Sequence, residues 1–133
     1  MAALTKDRNT PERSGEDFAY PAAGGVQIFA GALVVLEEGF ARPAAEGEGL
    51  VVVGRADARV DNRLGADGEL QARVRLGVFR FANSDGADRI LPADVGSDAW
   101  ILDDQTVGKD EAGRSKAGRV MDVDAQGVWV KVG

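Results

Sequence analysis

The chain has 133 residues, with 16 Lys and Arg against 22 Asp and Glu, a net charge of −6, and neither Cys nor His. Disulfides, thiolate or imidazole metal ligands, a Cys nucleophile and a Ser-His-Asp triad are therefore excluded. The acidic balance, with no Lys/Arg cluster, weighs against direct nucleic-acid binding and against an anionic membrane surface.

One domain is expected at this length, large enough for an ordinary core. The longest apolar run, Ile28 to Leu36, is too short to span a bilayer, and the N-terminal stretch has no apolar segment of a signal peptide. A soluble protein acting where it is made is the expectation.

Residues 1–24 read as an extended N-terminal arm, ahead of a single β domain over 25–133. Lys6, Asp7, Arg8, Glu12, Arg13, Glu16 and Asp17 follow neither helical nor strand period, and Pro11, Gly15, Pro21, Gly24 and Gly25 punctuate them. Such a segment buries too little apolar surface to offset its own ordering entropy. Phe18 and Tyr20 are the exception. Two aromatics two apart want a surface, either this domain's own core or a partner.

From Val26 the pattern turns to β. Val26, Ile28 and Ala30 alternate, Gly31 interrupts, and Ala32 to Leu36 follow as a continuous apolar run. Glu37-Glu38-Gly39 reads as a turn, Ala44 to Gly49 as a loop, and Leu50 to Val53 as a short buried strand continuing through Gly54 toward Val60. Asp61-Asn62 and Gly65 to Gly68 are turn signals.

Glu69 to Ser84, ELQARVRLGVFRFANS, is the clearest strand. Leu70, Ala72, Val74, Leu76 and Val78 alternate with Glu69, Gln71, Arg73 and Arg75, and the phase then flips so that Phe79 and Phe81 are apolar around Arg80. A slip at Gly77-Val78 explains the flip, as a bulge in one strand serving two packing surfaces or as two short strands joined at Gly77. Arg89 to Gly96 is the only candidate helical turn. Trp100 to Leu102 reads as a strand, Asp103 to Gln105 as a turn and Thr106-Val107 as its return. Arg119–Asp124 and Val128–Val132 read as a hairpin, with Val128, Val130 and Val132 facing one way and Trp129 and Lys131 the other. The last strand is also a candidate open edge.

Short, regularly spaced strands with 18 Gly indicate an all-β fold, a small barrel or sandwich of short antiparallel strands. A faint internal echo is present, which two related β half-motifs would explain and chance would explain as well. Ala32 to Ala41, then Gly54-Arg55 and Val60-Asp61, runs in the same order as Ala99 to Gly108, then Gly118-Arg119 and Val123-Asp124.

Candidate chemistry is thin. Asp122 to Gly127 opens like a calcium loop but lacks its third oxygen ligand and its closing Glu. Asp103-Asp104 reads as turn chemistry rather than an acid/base pair. No catalytic residue, cofactor or metal site is expected, and the chain is read as a non-enzyme. Candidate contact residues are Leu4, Arg8, Phe18 and Tyr20 on the arm, Arg73 and Arg75 as a polar stripe on the long strand, and Trp129 on the last strand. The bland reading of the Arg stripe is a solvated sheet face with cross-strand ion pairs.

The opening MAALTKDRNTPERSGEDFAYPAAGGVQIFAGALVVL resembles the start of small head proteins of Mu-like phages and prophages. GRADARVDN, VRLGVFRFANS, DDQTV and AGRVMDVDAQGVWVKVG are similar to the same group, which is the family of phage capsid cement, or head decoration, proteins. The resemblance implies a β-rich protein on the outside of the virion, assembled in the bacterial host cytoplasm. It would bind the major capsid protein where subunits meet and hold the expanded shell. It also implies self-association, with a homotrimer favoured and a dimer as the alternative. Another virion part, such as a head–tail joining or tail module, a glycan-binding β module, and a carboxylate enzyme remain competing readings.

Overall fold

The computed structural model describes residues 2–10, 13 and 15–133; Pro11 and Glu12, counted in the expected arm, lie outside the described residues. The first half of the chain holds β1 (Asp17–Pro21), β2 (Gln27–Ile28), β3 (Leu33–Glu37), β4 (Phe40–Pro43), β5 (Val51–Ala56), β6 (Val60–Asp61) and β7 (Gln71–Arg75). The second holds β8 (Gly77–Asn83), β9 (Asp98–Ile101), β10 (Thr106–Gly108), β11 (Lys116–Asp124) and β12 (Gly127–Val132), with single 3-10 turns at Gly86–Asp88 and Pro92–Asp94.

The strands sort by half. An open antiparallel sheet runs β1-β7-β5-β3-β4, with β2 and β6 paired beside it, and β10-β8-β12-β11-β9 close into a barrel. All pairings are antiparallel except β8 with β10. The all-β fold and the small barrel match the expectation from strand spacing.

The apolar run after Gly31 becomes β3, and its continuity has a cause. Leu33 and Val35 point into the barrel's core, while Val34 points into the core of the open sheet. A strand buried on both faces shows no polar alternation. Its neighbour β5 divides in the same way, with Val52 on the barrel side and Val53 on the sheet side.

The long strand over residues 69–84 resolves into two. Ala72 and Val74 of β7 are buried and Arg73 and Arg75 exposed; past Leu76 the phase flips, so that Phe81 of β8 is buried and Val78 and Arg80 are exposed. The chain leaves the open sheet and enters the barrel at Leu76. Gly77 makes room there, since a Cβ on it would lie 3.2 Å from Phe79 Cζ.

The arm is shorter than the expected 1–24. Residues 2–10 are exposed and form no strand, but Asp17–Pro21 pairs along β7 and Ala22 and Ala23 are fully buried. The partner strand lies far ahead in the chain, and it supplies the hydrogen bonds and apolar cover that the segment lacks alone. The expected open edge at the C-terminal strand is also corrected. β12 sits between β8 and β11, and barrel closure leaves it no free side.

The internal echo has a counterpart in topology. β3–β4 and β9–β10 are both hairpins, and each first strand also pairs with a later strand, β5 and β11, carrying a crowded glycine. A Cβ on Gly54 would lie 2.8 Å from the Arg75 carbonyl oxygen, and one on Gly118 would collide with the Lys131 carbonyl.

Candidate contact surfaces

The seven expected contact residues fall on four separate surfaces. Leu4 and Arg8 lie on the exposed leading segment, where Leu4 is 71% exposed and the Arg8 guanidinium donates to Thr10 Oγ1 at 2.6 Å. Phe18 and Tyr20 follow on β1, opposite Val74 and Ala72 of β7. Their rings lie 6.4 Å apart and pack half-buried on the core of the open sheet. Of the two surfaces open to them in the sequence, they use the domain's own.

Arg73 and Arg75 point to the other face of β7. Across the ladder, Asp17, Arg75 and Arg55 stand in register. The Arg75 guanidinium donates to Asp17 Oδ1 at 3.2 Å, and Arg55 donates to Asp57 Oδ1 at 2.8 Å. Asp17, and beyond it Asp57, raise the Arg75 pKa. Arg55 also lies over the Phe79 ring, 4.6 Å from its centroid, and so ties the sheet face to the barrel. This face carries cross-strand ion pairs of the kind worth little individually in water.

Trp129 lies on the outer face of β12, as its place in the alternation requires. Its indole N–H donates to Asp124 Oδ2 at 2.9 Å, and the Arg80 guanidinium sits 5.6 Å from its ring centroid. Asp124 Oδ1 accepts the backbone N–H groups of Gln126 and Gly127 at 2.8 and 3.1 Å. The indole bond, helped by these turn bonds, lowers the Asp124 pKa. The calcium-like spacing is thus hairpin chemistry, and among the described residues no group of three or more Asp, Glu, His or Cys is placed to hold a metal ion.

Asp103 and Asp104 divide their tasks, the first through its side chain and the second through its backbone. Asp103 Oδ1 accepts the Gln105 N–H at 2.9 Å, closing the turn, while the Asp104 carbonyl accepts the Leu33 N–H at 2.8 Å and joins the two halves. Partial burial, then the Asp103 charge, raise the Asp104 carboxyl pKa.

Sequence reasoning passed over the best-made polar cluster. Arg114 Nη1 donates to both Asp88 oxygens at 2.9 Å, and Arg114 Nε donates to Glu46 Oε2 at 2.9 Å. Asp88 Oδ1 also accepts the Asp110 N–H at 2.8 Å. Desolvation pushes the Asp88 carboxyl up, but the Arg114 and Asp110 hydrogen bonds outweigh it and take the pKa down to about 2. Beside it, Ser115 Oγ–H donates to the Gly47 carbonyl at 2.6 Å, and its oxygen accepts the Leu50 N–H at 3.0 Å. Arg114 and Ser115 therefore clamp the Ala44–Gly49 loop of the first half onto the barrel. Lys109 to Arg114 reads from its composition as a polar loop, and nothing local in it names Asp88 or Glu46 as partners.

No protein-family model, curated protein or solved structure matches this chain. No helix is long and apolar enough to cross a membrane among the described residues.

Proposed function

We propose that this chain is a phage capsid decoration protein: a non-enzymatic cement that binds the outer surface of the head, on the major capsid protein, and stabilises the expanded shell. The observation that carries the reading is the N-terminal edge. An exposed strand-free segment, residues 2–10 with Leu4 outward, leads into β1, whose outer side pairs with no other strand over Asp17–Pro21 among the described residues. An open edge with an exposed lead is suited to adding a strand to a neighbour. A shell offers many copies of one contact in parallel, so each can be modest and still hold. The quoted sequence resemblance supports the same reading. Virion location, assembly in the host cytoplasm and the absence of any nucleic-acid or membrane contact belong to this proposal.

The test is co-sedimentation of purified protein with expanded capsids of its own phage, followed by electron microscopy. Full-length protein is compared with protein lacking residues 1–15, a cut that spares β1. Saturable, regular decoration that weakens at least about tenfold on truncation is expected, a loss of about 1.4 kcal/mol per site. Failure of the full-length protein to bind confirmed capsids would overturn the reading.

A further inference from the structure

We propose that two copies of this chain pair about a two-fold axis through the seam beside β5, with the basic groove of each receiving the acidic turn of the other. The groove, about 510 Å³, lies between Leu50–Val52 and the outer rim of the barrel, where Lys116, Arg119 and Lys131 line it. No Asp or Glu side chain lines it, in a chain whose net charge is −6. Lys116 is paired to Asp98 at 3.2 Å. Arg119 stands opposite Lys131 in the β11–β12 ladder and opposite Asp98 in the β11–β9 ladder, and neither Arg119 nor Lys131 forms an ion pair among the described residues. Asp98 forms its ion pair with Lys116, so the like charges of Arg119 and Lys131 face each other across the ladder with no ion-pair partner of their own.

The anions lie on the other flank of the same patch. Val51 is 59% exposed and opposite Leu36, and the turn Glu37-Glu38 follows Leu36 at once. Glu48 stands two residues ahead of Leu50. Glu37, Glu38 and Glu48 are exposed and form no ion pair among the described residues. Glu38 has φ 52° and is followed by Gly39 at φ 85°. A two-residue hairpin turn with both central residues at positive φ favours Asn, Asp or Gly at its first place, and Glu38 stands there instead.

An exposed apolar residue flanked by unpaired acids on one side and unpaired cations on the other is self-complementary. Rotation by half a turn sets each Glu37-Glu38 turn against the partner's Arg119 and Lys131 and brings the two Val51 side chains together. The resemblance favoured a threefold cluster; this patch answers to a two-fold pair. The pairing is a property of the free protein and does not rest on the capsid reading.

Sedimentation equilibrium of the full chain tests it, at low and high salt. A dimer that weakens with salt is expected. R119E/K131E and E37K/E38K should each raise the dissociation constant at least about tenfold, with unchanged circular dichroism. Mixing those two variants should restore a 1:1 pair, because the reversed groove of one then meets the reversed turn of the other while the second contact keeps its original charges. A monomer at all concentrations, or a dimer indifferent to both reversals, would overturn the proposal.

Discussion

The two halves of this chain close their cores with different materials. The open sheet packs Ala22, Ala32, Ala41, Ala56 and Ala72 among a few larger residues, whereas the barrel fills its interior mainly with Val107, Val120, Val128, Val130, Val132, Ile90, Ile101 and Phe81. Small side chains let the backbone segments of the sheet half come close. Large ones let five strands enclose a full interior. The open half keeps edges at β1 and β4, and the closed half has none. The half with edges is the half that carries the exposed leading segment, so the contacts proposed for the N-terminus fall on the open sheet and not on the edgeless barrel.

The paired glycines break this comparison most sharply. Gly118→Ala drives a methyl into the Lys131 carbonyl inside the barrel ladder and should cost about 3–4 kcal/mol. Gly54→Ala meets the Arg75 carbonyl less closely, though at φ +146°, and should cost about 1–3 kcal/mol. Urea unfolding of the two variants checks the order, and an equal loss would deny that the closed barrel is the less forgiving half. Next comes core volume. Ile101→Ala should cost about 3 kcal/mol through the cavity it leaves. In the sheet half the sensitive change runs the other way, and Ala41→Val should cost about 1–2 kcal/mol by overpacking.

A smaller effect lies in the clamp between the halves. The Asp88 carboxyl is held at about 2, below its ordinary 3.8. A lowered folded-state pKa contributes stability that is fully present above pH 4 and lost as pH falls toward 2. After allowance for solvent screening it is worth about 1–2 kcal/mol. Asp88→Asn should therefore be destabilised at pH 7 and converge with the unaltered protein near pH 2 in denaturant titrations. The smallest effect is removal of residues 2–10, which should change stability by less than about 0.5 kcal/mol. A cut extended through Pro21 should expose β7 and open the sheet half to protease.

The patterned elements were legible from sequence. The alternation in Val128 to Val132 placed Trp129 outward, and the phase flip read at Gly77-Val78 marked the passage between two packing surfaces, although Val78, counted with the inward positions, is exposed because the flip falls before it. What could not be read was pairing at long range. β1 becomes a strand because β7 offers it an edge, and nothing within Asp17–Pro21 announces that partner. The parallel contact of β10 with β8 and the meeting of Asp88 with Arg114 depend equally on closure of the whole barrel. The contact residues scatter because neighbours on a strand face opposite ways: Phe18 and Tyr20 turn to the core while Arg73 and Arg75 turn to solvent.

The chain divides at Leu76, and β3 ignores the division. Every strand of the open sheet precedes that residue and every barrel strand follows it, yet Leu33 and Val35 belong to the barrel's interior. A ribosome delivers the sheet half first, with these two side chains still facing water and their cover not yet made. The first half therefore has to wait, and its core should be complete only when β12, the last of the barrel strands in chain order, seals the barrel against Leu33 and Val35. Translation pausing near Leu76 would lengthen the most vulnerable interval in the life of the chain.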